Sequence, residues 1–116
     1  MLSNTGVNKI VLLGQVTTSP ESLKIEGTNF LCFTLLTTEL IRKGTEILQH
    51  DEFHRIQMPE KMMNEAPPIE SGQTVYIEGR LHTAISVDKL NVKRYDLSVI
   101  VLKLEVMALI PSPLPY

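Results

Sequence analysis

Tryptophan is absent from this 116-residue chain, and phenylalanine and tyrosine raise the aromatic share to only 5%. That is a thin supply of rings for stacking on bases. Cysteine occurs once, as Cys32, so no internal disulfide can form, which fits a reducing, cytoplasmic setting. Apolar runs stop after a few residues, as in Val99-Ile100-Val101-Leu102, far short of the roughly 20 that a membrane-spanning helix needs. The opening Met1-Leu2-Ser3-Asn4-Thr5 has neither a basic start nor an apolar core, so no signal peptide and no membrane partner are expected. An excess of positive charge is also missing. Eleven Lys and Arg face 13 Asp and Glu, for a net charge of −2, whereas chains dominated by phosphate contacts are more often basic. Any nucleic-acid reading must therefore rest on where the cations sit.

Catalytic signatures are missing as well. The chain has no G-x-x-x-x-G-K-[ST] or G-x-G-x-x-G phosphate loop and no G-x-S-x-G elbow. His50 and His54 stand four apart around Asp51 and Glu52. On a strand that spacing spans about 13 Å, too far to share one ion held about 2 Å from each nitrogen. Cys32 reads as a small buried or half-buried residue rather than a nucleophile. No catalytic residue, metal site or cofactor is expected.

What is present is strand patterning on a chain of one-domain length, with 43% hydrophobic and 21% charged residues. From Asn8 to Val16, Ile10, Leu12, Gly14 and Val16 share one face, opposite Lys9, Val11, Leu13 and Gln15. Asn29 to Thr38 is β-branched, aromatic and leucine-rich. From Glu52 to Met58, Phe53, Arg55 and Gln57 face one way and His54, Ile56 and Met58 the other. Thr74 to Thr83 alternates in the same manner. The last strand, Tyr95 to Met107, carries apolar residues at odd positions and then at even ones, the phase slip of a β-bulge. Gly14 and Gly79 fall inside strands, where glycine marks a bend or a close backbone approach. Glu60 to Ala66 reads as a short helix stopped by Pro67-Pro68. The stretches 17–28, 39–50 and 86–94 read as turn-like connections. These elements predict an all-β OB-fold, a five-stranded Greek-key barrel with a short helix between strands 3 and 4. It covers residues 1–108, and 109–116 form a short Pro-rich tail.

Two features point to binding. Phe53 and Arg55 on one strand face offer a base a ring and a phosphate a charge-assisted partner. Cations also concentrate locally: Arg80, Lys89, Lys93 and Arg94 against Asp88 alone, with Arg42-Lys43 in another connection. A net-negative protein can still present a basic groove.

The same residues resemble the bacterial single-stranded DNA-binding protein family. Gly6 to Gly14 (GVNKIVLLG) is similar to the family's opening, and Glu52-Phe53-His54-Arg55 resembles its EWHR strand with Phe for Trp. Gly72 to Leu81 resembles GSQVYIEGKL, and Lys93 to Leu97 sits where the family has a DRYTTEV-like strand. The likeness runs in register from about Gly6 to Met107.

It implies a homo-oligomer, a tetramer or else a dimer, in the cytoplasm on nucleoid DNA. Its partner would be single-stranded DNA in replication, recombination and repair, bound without sequence preference. By the resemblance, Phe53 matches a stacking tryptophan, Arg55 a phosphate-contacting arginine, and Lys9 and Lys61 basic positions along the DNA. Arg80, Arg42-Lys43 and Lys93-Arg94 extend that path, and His54 matches a residue supporting subunit contacts. Other ring positions fall at Ile41, Pro59 and Ser86, where no ring remains.

Base stacking is worth about 1–3 kcal/mol per base, so weaker binding than in a typical member is expected. The family's acidic tail tip is missing too. Either recruitment of replication proteins is lost, or it rests on the terminal carboxylate and Tyr116. Two alternatives stand beside this reading: a primosomal replication protein N-like accessory factor, and an interaction barrel that has lost DNA binding.

Overall fold

The computed structural model describes residues 5–64 and 68–107. Six strands run β1 (Ile10–Val16), β2 (Glu21–Ile25), β3 (Thr28–Lys43), β4 (Glu46–Pro59), β5 (Thr74–Val87) and β6 (Lys93–Val106). They order as β1-β5-β6-β4-β3-β2, with an additional β1–β3 pairing. That pairing, Gln15 with Leu36 and Val16 with Leu35, closes five strands into a barrel with the expected OB-fold order. β2 lies outside the ring, paired with residues 28–32 of β3.

Alternation fills the barrel. Val16, Leu35, Ile56, Met58, Ile77 and Val101 are all but fully buried, while their strand neighbours point outward. The seam between β4 and β6 is parallel and only two pairs long, Ile56 with Val99 and Gln57 with Ile100. Beyond it the two strands part, each into its own antiparallel ribbon: β4 with β3, β6 with β5.

The phase slip in the last strand is a bulge. Glu78 pairs with Lys103 but Gly79 with Val101, which leaves Leu102 unpaired and 64% exposed. Before it Val99 and Val101 are buried; after it Leu104 and Val106 pack on the core. The glycines sit where the wall is tightest. A methyl at Gly14 would run into the Leu36 carbonyl where β1 changes partner, and one at Gly79 into the Ile100 carbonyl beside the bulge.

The structure corrects four expectations. In the Glu60–Ala66 segment, the described residues 60–64 form only one 3₁₀ turn, Glu60–Met62, closed by Met63 N–H donating to Glu60 O. No side chain caps its start at Pro59, and seven residues are too few for a self-sustaining helix. Residues 65–67 lie outside the described ones. The 17–28 stretch holds β2, because Glu26 (φ 49°) and Gly27 (φ 80°) make the two-residue turn that a tight hairpin needs. The 39–50 stretch is mostly ribbon, pairing down to Lys43 with Glu46 around Gly44 (φ 67°). The 86–94 connection likewise shrinks to residues 88–92, capped by Asp88 accepting from the Leu90 and Val92 N–H groups.

Gly79→Ala is expected to lower unfolding free energy by about 1–3 kcal/mol, the usual cost of overpacking. Gly6→Ala, where nothing lies within 4 Å of the added methyl, should stay within about 1 kcal/mol of the parent. Urea midpoints of the two variants check this.

Candidate nucleic-acid interface

The parting of β4 and β6 leaves a cleft on the outer barrel wall. Arg55, just before the seam on β4, borders three adjoining hollows. Phe53, Arg55, Tyr95 and Leu97 line the first, of about 280 Å³. Arg55, Gln57, Arg80, His82 and Ile100 line the second, of about 410 Å³. The third runs along β2, past Leu23, Ile25 and Cys32. Burial, with Glu21 nearby, pushes the Cys32 thiol above its ordinary pKa. A fourth hollow holds Lys61 and Pro59 and shares Phe30, Arg80 and Ile100 with the second. Phe53, Arg55, Arg80 and Lys61 thus lie along one strip. Sheet register explains it: Gln57 and Arg80 both flank Ile100, from β4 and β5 respectively.

The other predicted site residues stand away from the strip. Arg42 and Lys43 end one ribbon, while Lys93 and Arg94 open β6 at the tip of the other, where Arg94 Nε lies 3.9 Å from Asp88. Lys9 precedes β1, with its Nζ 3.6 Å from Glu78 Oε1. The Tyr76 hydroxyl donates to Glu78 Oε2 at 2.6 Å. That bond holds the Glu78 carboxyl below the ordinary carboxylate range, with Lys9 adding to the effect, and pushes the Tyr76 hydroxyl up. His54 points to the opposite face of β4, where Nε2 lies 2.8 Å from Thr37 Oγ1. There it borders a hollow of about 520 Å³ with Val11 and Leu13.

Sequence reasoning missed two rings. Tyr95 is 63% exposed and faces the first hollow with Phe53. It shares the odd phase of Val99 and Val101, which are buried, but the barrel ends before it, so inward phase becomes outward exposure on the ribbon. Phe30 borders the second and fourth hollows; its position at the start of β3 gave no separate signal.

Residues 7–107 match the family model described as the single-strand binding protein family. The chain belongs to that family. Its members are DNA-binding, non-catalytic proteins. Among curated relatives, the mitochondrial single-stranded DNA-binding proteins of Danio rerio and Oryctolagus cuniculus are each 28% identical over 104 residues. The match covers 81% of this chain, and 71% and 70% of theirs. Two solved structures share the fold. A Plasmodium falciparum SSB in complex with ssDNA superposes with a TM-score of 0.75 at 22% identity, over 91% of this chain and 99% of that one. A Thermus aquaticus single-stranded DNA-binding protein gives 0.73 at 19%, over 88% and 51%. The OB-fold and the SSB resemblance are therefore both borne out.

One charge works against the strip. Asp96 Oδ1 lies 3.9 Å from Arg55 Nη1, with both side chains more than half exposed, and a phosphate reaching Arg55 must displace it. Exposed pairs of this kind are worth up to about 1 kcal/mol. Asp96→Asn is therefore expected to tighten oligo-dT binding by up to about fivefold at low salt, with the gain shrinking as salt rises. Fluorescence titration at two ionic strengths measures it.

Proposed function

We propose that a single strand lies along the outer wall from the Phe53–Arg55 cleft, past Arg80, toward Lys61, with Arg42-Lys43 and Lys93-Arg94 gripping it from the ribbon tips. Single-stranded DNA binding, with the family's general roles in replication, recombination and repair, is the function of the family to which this chain belongs. The route and its residues are proposed for this chain. One observation carries them: four predicted site residues from β4, β5 and the 3₁₀ turn border hollows that share lining residues. Phe53 supplies a stacking ring and the cations neutralise phosphates. Neither contact reads base identity, so binding is independent of sequence. Lys9 touches the strand only by leaving Glu78.

The reading extends to assembly. Along residues 10–14, β1 pairs with β5 on one side and meets β3 only at Gln15 and Val16. Val11 and Leu13 are more than half exposed there, beside the His54 hollow. We propose this face as the subunit contact of a homo-oligomer, a tetramer built from dimers. Residues 1–108 act as the DNA-binding unit. The 109–116 tail lies outside the described residues, and replication proteins are not assigned to it. The protein performs no catalytic step. We place it in the cytoplasm with nucleoid DNA, although the curated relatives are mitochondrial by name. Among the described residues, no helix is long and apolar enough to cross a membrane.

Titration with fluorescent oligo-dT tests the route. Affinity should fall as salt rises. Phe53→Ala should cost about 1–3 kcal/mol, and Arg55→Ala should lower the salt slope by about one unit. Wild-type protein that fails to bind at low salt, or variants that bind as it does, would overturn it.

A further inference from the structure

The cleft where β4 and β6 part has an aromatic side chain on each wall. Phe53 stands three residues before Ile56 and Tyr95 four residues before Val99, and Ile56–Val99 is the first pair of the seam. Both rings are nearly two-thirds exposed, at 64% and 63%, and both border the same hollow. Among the described residues, nothing covers either. Tyr95 has no side-chain hydrogen bond among the described residues, unlike Tyr76, whose hydroxyl is held by Glu78. Leu97, with the polar Thr34, Arg55 and Asp96, lines the rest of the hollow. An apolar protein segment docking there would bury those polar groups without partners. A nucleobase suits the place better: it offers flat faces to the rings, edges to the polar groups and, through its backbone, a phosphate to Arg55.

The geometry points to Tyr95 as a second base-stacking residue, opposite Phe53 across the cleft, for the strand that enters it. This rests on the proposed route and deepens it. The chain lacks the other rings its resemblance calls for, at Ile41, Pro59 and Ser86. Tyr95 restores one from another strand, so the cleft receives a base between two rings. Pairing with Ile85 on β5 holds the Tyr95 backbone in place before DNA arrives.

Absence of tryptophan makes the test direct, because intrinsic emission comes only from Tyr76, Tyr95 and Tyr116. Wild type, Phe53→Ala, Tyr95→Ala and Tyr95→Phe are titrated with oligo-dT, following both a labelled oligonucleotide and tyrosine emission. Tyr95→Ala should bind about 5- to 100-fold more weakly. Tyr95→Phe keeps the ring and should stay within about threefold of wild type. Oligo-dT should quench wild-type tyrosine emission, and most of that quenching should vanish in Tyr95→Phe. The inference alone is overturned if Phe53→Ala weakens binding while Tyr95→Ala does not. It is also overturned if Tyr95→Phe is as weak as Tyr95→Ala, or if quenching persists undiminished in Tyr95→Phe. Wild-type protein that does not bind would overturn the route and the inference together.

Discussion

The parallel seam of β4 and β6, two residue pairs long, governs both the barrel and its outer face. It joins the β5–β6 side of the ring to the β3–β4 side, Ile56 against Val99 and Gln57 against Ile100, and there two nearly buried side chains meet at the core. Its shortness matters as much as its presence. Each strand leaves it for a separate antiparallel partner, and the wall opens into a cleft. The seam holds its register because the Leu102 bulge and Gly79 absorb the mismatch between a strand that must close a barrel and one that must run on into a ribbon. The cleft is thus a consequence of closure.

Net charge and local charge part company on this surface. The chain carries −2 overall, yet the strip gathers Arg55, Arg80 and Lys61. Among the described residues, Arg80 has no carboxylate within ion-pair distance, whereas Arg55 shares its charge with Asp96. Few stacking rings and a tempered arginine are the physical grounds for proposing that this surface holds a strand loosely. Attraction of this kind is also screened by salt.

Much of the fold could be read from alternation. The residues that line the core from β4, β5 and β6 are those in the buried phase of each strand, and the bulge showed as a change of phase. The connections were less legible. Glu26-Gly27 and Gly44 are turn signals, but pairing across them depends on long-range packing that local composition does not carry. The helix expectation failed for a related reason: good helix formers without a cap or sufficient length yield one turn. In the site, Phe53, Arg55 and Arg80 were visible as outward residues of regular strands. Tyr95 was hidden because its phase is that of the core, and only the place where the barrel ends reveals that it faces solvent.

On the proposed route, one face of the barrel, centred on the seam, receives the strand while the β1 and His54 face does not. Backbone amide chemical-shift mapping during an oligo-dT titration tests it most directly. The largest shifts are expected at Phe53–Gln57, Arg80–Ala84 and Tyr95–Ile100, with Ile10–Leu13 little changed. Shifts concentrated on β1 and around His54, with the seam undisturbed at saturation, would contradict it.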